Sequence, residues 1–298
     1  MKYIGLNNKA VDAKDAVVSA LDHGFLYGMG LFETFRTYGG QPFLLQKHLD
    51  RMAEGCRQLG IPFAPDVQEL QEWIRLVMDR NELSDAYIRY TVTAGEDILG
   101  LPAGDYKQPN QLLYIKALPA VPESLYSEGK ELQLLHHRRN TPEGNVRLKS
   151  LHYMNNILAK RELSGYPAAS RGAEGLMLTA AGDLAEGIVS NIFFVSGTRL
   201  YTPDIATGIL PGITREMVME LAAAASLLPE QGFYRWEQLE AADEVFLTNS
   251  VQEIVPVTTL WNGDRRIAVG SGRCGERTDA IMKLYRERAG GWNEAGNI

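Results

Sequence analysis

Two prolines within five residues, Pro119 and Pro122 in PAVPE, interrupt a chain that is periodic on both sides of them. Proline gives no amide to a helix or an inner strand, so a stretch of this kind reads as a linker. The expected organisation is a small domain over residues 1–118, a linker over 119–128 and a larger domain over 129–298. Before the break, Leu44 to Leu59 places apolar side chains at helical spacing, Gly60 stops the run, and residues 67–83 repeat the pattern. Ala86 to Ala94 alternates as a strand does, and Gln111 to Ala117 is a second extended run. After it come strand-like LQLLHHR, the turn-rich RNTPEGN, and a helix pattern in SLHYMNNILAKREL with Ser150 placed as its cap. Short strands follow in GLMLT, LAEGIVSNIFFV and RLYTP, then a helix in ITREMVMELAAAA and a strand in EVFLTNS. Asn262-Gly263, between VPVTTLW and RRIAV, is a type I′ hairpin signal. The expected fold class is α+β.

Charge narrows the partners. Thirty basic against 37 acidic residues give a formal charge of −7 over 298 residues. That balance argues against nucleic acid or an anionic membrane surface and leaves a small anionic ligand as the better partner. Two widely separated cysteines, Cys56 and Cys274, suit a reducing compartment. The N-terminus has no apolar core of a signal peptide, and no run approaches the ~18 apolar residues of a membrane span. A cytoplasmic protein is expected.

Several residues stand out chemically. Lys149 lies at a loop-to-helix junction between Leu148 and Leu151, where partial desolvation favours an amine able to form an imine, although most lysines simply reach into water. Glu186 has apolar neighbours on both sides in LAEGIVSNIFF; it is either a strand-end carboxylate facing solvent or one held against a ring nitrogen. Pro211-Gly212 delivers Ile213 and Thr214 to the first turn of a helix, where free amides attract an anion. TNSVQEIVPV ends a strand in small polar side chains suited to phosphate oxygens, and Arg51 is a bidentate donor if it turns inward. GSGRCG (270–275) matches the dinucleotide pattern, but only 23 residues follow it in the 298-residue chain, too few for a second strand. The five histidines show no metal-ligand spacing, so no metal site is expected.

Taken in order, DHGFLYGMGLFETFR (22–36), HLDRM (48–52), RLKSLHYMNNILAKRE (147–162), LAEGIVSNIFFV (184–195), GILPGITRE (208–216) and TNSVQEIVPV (248–257) resemble the class-IV pyridoxal-phosphate aminotransferases over nearly the whole chain. The resemblance implies fold-type IV: a small N-terminal α/β domain and a larger barrel-like domain, with pyridoxal 5′-phosphate between them, in a homodimer. It implies that Lys149 carries the cofactor as a Schiff base and that Glu186 partners the pyridine nitrogen. Arg51, the amides of Ile213 and Thr214, and Ser250 are the implied phosphate ligands. Tyr153, one turn into the helix, is implied at the phenolic oxygen, and Leu210 on the ring.

Within the family, the opening segment, RRNTPEGNVRLKSLHY and TNSVQEI are most similar to the bacterial aminodeoxychorismate lyases of folate biosynthesis, which form 4-aminobenzoate and pyruvate. The alternative implied is an aminotransferase for D-amino or branched-chain amino acids. Ala94 stands where several relatives carry a carboxylate-binding arginine. Arg138 and Arg139 either supply positive charge to the pocket or face water.

Overall fold

The computed structural model describes residues 1–295; the last three residues of the expected second domain, 296–298, lie outside the described residues. The chain forms two compact units, one of Met1–Ala120 with Leu148–His152 and the chain from Ala289, the other of Val121–Arg147 with Tyr153–Arg288. The short segment Leu148–His152, which the sequence assigned to the larger domain, therefore packs with the first unit. Within 119–128, expected to be linker throughout, Ser124–Glu128 form a short helix, α4.

The first unit is an antiparallel sheet covered by two helices. Its strands are β1 (Tyr3–Leu6), β2 (Lys9–Asp12), β3 (Gly30–Tyr38), β4 (Gln41–Pro42), β5 (Tyr87–Thr93) and β6 (Asn110–Lys116), in the order β2-β1-β6-β5-β3-β4. A four-residue helix, α1 (His23–Leu26), precedes β3. Alternation puts Leu31 and Phe35 of β3, Ile88, Tyr90 and Val92 of β5, and Leu113 and Ile115 of β6 into one apolar core. Helix α2 (Leu45–Gln58) meets it with Leu45, Leu49, Met52 and Cys56, a run of four- and three-residue steps that makes one helical stripe. Helix α3 (Val67–Arg80) adds Leu70, Trp73, Ile74 and Val77, and Asp66 caps it by accepting from the amides of Gln68 and Glu69.

The second unit is a curled nine-stranded sheet. Its strands are β7 (Lys130–Leu134), β8 (Glu174–Leu178), β9 (Leu184–Gly187), β10 (Asn191–Ser196), β11 (Arg199–Pro203), β12 (Leu228–Gly232), β13 (Glu244–Asn249), β14 (Glu253–Asn262) and β15 (Arg265–Ala268). The order is β12-β11-β10-β13-β14-β7-β8-β9, with β15 on β14 and β9 returning alongside β10 and β11. The helices are α5 (Met154–Leu163), α6 (Ile213–Leu221), α7 (Trp236–Glu240) and α8 (Glu276–Ala295), of which the part up to Arg288 belongs to this unit. Strand β8 is buried along its whole length, with Leu176 and Leu178 in the main core and Met177 packed with Ala159 and Leu163 of α5. A hairpin forms there, but Asn262 pairs with Arg265, so the loop is Gly263-Asp264, and with only Gly263 at a positive φ (+57°) it is not the expected type I′ turn.

Three further local expectations differ from the structure. LAEGIVSNIFFV is two strands, because the Gly187 amide turns back onto the Ser190 carbonyl at 2.8 Å. Helix α6 stops at Leu221; Ser226 takes a left-handed φ of +57° and the Leu227 amide closes on the Ala222 carbonyl. Ser150 does not cap α5, which begins at Met154 with Tyr153 in the capping position, so Tyr153 lies at the helix start and not one turn inside it.

Replacing Ile88, fully buried at the centre of the first sheet, by Ala should cost about 2–5 kcal/mol. Leu76→Ala, on the exposed side of α3, should stay within about 0.5 kcal/mol. Urea-unfolding midpoints of the two variants check the contrast.

Candidate active site

Lys149 is fixed by its backbone. Its carbonyl accepts the Phe32 amide at 2.9 Å, the Leu151 amide donates to the Gly30 carbonyl at 3.0 Å, and Ser150 bridges Leu31. The segment thus continues the first unit's sheet beside β3, and this extended pairing is what keeps Ser150 from capping a helix. Glycine is required at position 30, since a Cβ there would lie 2.6 Å from the Val92 carbonyl and 2.8 Å from Leu151. The Lys149 ammonium then stands 4.8 Å from the centre of the Phe32 ring, and the Arg89 guanidinium sits on the same ring at 3.6 Å. Two cationic groups share one aromatic side chain.

Arg51 turns inward, onto Glu33. Its Nε and Nη2 donate to the two carboxylate oxygens at 2.8 and 2.6 Å, and His48 Nδ1 meets Oε2 at 2.6 Å. Glu33 falls on the core-facing side of β3 between Leu31 and Phe35, and it is almost completely buried. Burial alone would push its carboxyl up, but Arg51 and His48 outweigh that and hold it down at about 2. Burial pushes His48 down from the usual imidazole range, so the neutral ring donates its Nδ1 proton to Glu33. A carboxylate among apolar side chains on a strand's inward face is the sequence signal for this cluster; Glu33 lies inside DHGFLYGMGLFETFR, but was assigned no role from sequence.

Glu186 is buried in the second unit, not at a solvent-facing strand end. Oε1 accepts from Arg139 Nε at 2.7 Å; Oε2 accepts from the Leu210 amide at 3.0 Å and from Asn191 Nδ2 at 3.3 Å. Asn191 Nδ2 also donates to the Leu210 carbonyl at 2.9 Å, tying the 208–212 loop to β10. A Cβ at Gly212 would collide with Asn191 Oδ1, which explains the glycine ahead of α6. Arg139 therefore does not face water: it is buried against Glu186, and only folding brings it there.

Helix α6 opens at Gly212 with no side-chain cap, so the amides of Ile213 and Thr214 lie at an uncapped helix start. Thr214 Oγ1 lies 3.2 Å from Ser250 Oγ, which joins two motifs 36 residues apart. Among the described residues, Thr248 Oγ1 is a buried hydroxyl with no partner. Two amides, paired hydroxyls and a buried carboxylate form a donor and acceptor set that fits a phosphate-bearing pyridine ring. Leu210 and Tyr153 are both half-buried.

The family model for Amino-transferase class IV matches residues 30–260. This chain belongs to that family. It is 41% identical over 286 residues to the aminodeoxychorismate lyase of Bacillus subtilis (strain 168), covering 95% of this chain and 94% of that one. It is 34% identical over 290 residues to a putative branched-chain-amino-acid aminotransferase of Methanocaldococcus jannaschii, covering 97% of each. Among solved structures, the 4-amino-4-deoxychorismate lyase of Pseudomonas aeruginosa matches with a TM-score of 0.81 and 29% identity, covering 95% of this chain and 98% of that one. The branched-chain amino acid aminotransferase of T.th., solved with pyridoxamine 5′-phosphate, matches at 0.83 and 30%, covering 97% and 94%. The mixed α+β fold is that of the class IV enzymes. No helix among the described residues is long and apolar enough to cross a membrane.

Glu33 contributes stability that is fully present above its ordinary value of 4.5 and lost as the pH falls through about 2. Glu33→Gln should cost about 3 kcal/mol at pH 7, because His48 and Arg51 lose their carboxylate. The variant should also lose less stability than the parent between pH 4.5 and 2. Urea midpoints at pH 7, 4.5 and 3 test this, and equal losses in both proteins would remove the assignment.

Proposed function

We propose that the protein is a 4-amino-4-deoxychorismate lyase that yields 4-aminobenzoate and pyruvate for folate biosynthesis, working as a cytoplasmic homodimer. The observation that carries this reading is the 41% identity with the Bacillus subtilis lyase over almost the full length of both chains, against 34% with the archaeal aminotransferase relative. The substrate is a dianion. Arg89 and Lys149, gathered over Phe32 with Ala94 buried nearby in sequence, supply positive charge that suits it.

The cofactor is pyridoxal 5′-phosphate. When bound, it makes the substrate's α-carbon acidic by drawing electrons into its ring. Lys149 Nζ would attach the cofactor, take the proton from the amine-bearing carbon and give it to the methylene of the enolpyruvyl group as its bond to the ring breaks, which releases pyruvate and leaves an aromatic ring. Glu186, paired with Arg139, would accept the hydrogen bond of the ring nitrogen. The amides of Ile213 and Thr214, the Thr214 and Ser250 hydroxyls and Arg51 would hold the phosphate. Tyr153 would donate to the phenolic oxygen, and Leu210 would cover a face of the ring.

A transaminase is the second reading, supported by the branched-chain aminotransferase relatives, which match over the same length. Both reactions begin at the same α-proton, so the pocket decides between them.

The test is direct. Purified, pyridoxal-phosphate-loaded protein is given 4-amino-4-deoxychorismate, and 4-aminobenzoate fluorescence and pyruvate are followed. Equal amounts of both products are expected. No aromatic product, with a keto acid accumulating from an amino donor supplied alone, would move the assignment to the aminotransferases. Lys149→Ala should lose both the visible absorbance and covalent trapping of the cofactor by borohydride; a variant that keeps them would remove the lysine assignment.

A further inference from the structure

Glu186 is surrounded more heavily than one ion pair requires. An ionised carboxylate offers about four lone-pair positions, and three are taken, by Arg139 Nε, the Leu210 amide and Asn191 Nδ2. One acceptor position remains. Arg139 is itself anchored: its Nη1 donates to Asn155 Oδ1 at 2.7 Å, with Asn140 Oδ1 at 3.2 Å and Asn156 Oδ1 at 3.4 Å. Asn155 cannot swing away, because its Nδ2 donates to the Arg138 carbonyl at 3.0 Å and lies 2.8 Å from His137 Nε2. Asn156 is pinned to the Ile188 carbonyl, in the turn that directly follows β9. The first turn of α5 thus grips one end of the guanidinium while the other end grips the carboxylate.

We infer that Arg139 is a positioning residue: clamped by Asn155, it holds Glu186 with a single acceptor position open, and that position keeps the cofactor's ring nitrogen protonated. This rests on the reading of Glu186 proposed above. The guanidinium's planar fork matters as much as its charge, since one group must span from Glu186 Oε1 to Asn155 Oδ1. Arg139 at 2.7 Å and Arg147 at 4.0 Å are the arginines beside Glu186, while Arg215 is turned to the Pro203 carbonyl and Gln231 Oε1. Burial, with Arg139 beside it, pushes Arg147 down to about 10, still above neutral pH. His137 stands beyond Asn155 and is the titratable group on the outer side of the clamp. With Arg139 and Arg147 on this side of the carboxylate, its orientation decides how well it serves the ring.

The experiment uses the full chain loaded with cofactor labelled with nitrogen-15 in the ring, and follows the ring-nitrogen resonance from pH 6 to 9. The parent protein is expected to show a protonated nitrogen throughout. In Arg139→Met the resonance should move to the unprotonated position within that range, with kcat falling about tenfold or more and KM changing little. Arg139→Lys, which restores charge without the fork, should lie between the two. Asn155→Ala keeps both charges and removes one anchor, so it should shift in the same direction by less, and it serves if Arg139→Met does not fold. Glu186→Gln separates the two readings. An unmoved resonance in Glu186→Gln overturns the Glu186 assignment and this proposal with it. A moved resonance there, with Arg139→Met and Asn155→Ala indistinguishable from the parent, overturns this proposal alone. A loss of thermal stability without a spectral shift would mean that Arg139 only braces the loop.

Discussion

A carboxylate buried without a partner costs several kcal/mol, and Glu33 in the first unit and Glu186 in the second are among those this chain buries. Glu33 lies on the helix-facing side of the first sheet, and Glu186 in the curl of the second. The same solution appears twice: an arginine donates to the carboxylate, and a second polar side chain completes the set, His48 for Glu33 and Asn191 for Glu186. Much of the surrounding architecture follows. Helix α2 must present His48 and Arg51 one turn apart towards β3, and the 139–147 loop must lie close enough to β9 for two arginines to reach Glu186. A burial that is unfavourable by itself thus specifies which element meets which.

The lysine's place in the chain is set by different means. Backbone pairing of residues 149–151 with β3 fixes it, and that pairing tolerates no Cβ at Gly30. Such pairing is made by backbone groups, so it fixes the position of Lys149 without drawing on its side chain. Phe32, delivered by the same pairing, gives the ammonium an aromatic neighbour and brings Arg89 beside it.

Fold does not separate the reactions open to this family. The solved lyase and the solved aminotransferase superpose on this chain almost equally, with TM-scores of 0.81 and 0.83. A shared scaffold is expected when two reactions start by removing the same proton, and discrimination then belongs to side chains in the pocket. Sequence identity to the same two structures, 29% and 30%, separates them no better, whereas the Bacillus subtilis lyase and the archaeal aminotransferase relative differ at 41% and 34%.

By itself the sequence determined whatever depends on near neighbours in the chain. The apolar stripes of α2 and α3 and the hairpin that follows β14 were legible because helical and turn patterns repeat within a few residues. The family was legible too, since six motifs in order need no geometry to be matched. Tertiary structure alone decided the partners. It moved Leu148–His152 into the first unit, replaced Ser150 by Tyr153 at the start of α5, and turned Arg139 from a surface candidate into the partner of Glu186. Those two residues stand 47 apart in sequence, and nothing periodic connects them. They meet because a desolvated charge needs an opposite charge wherever the fold can bring one.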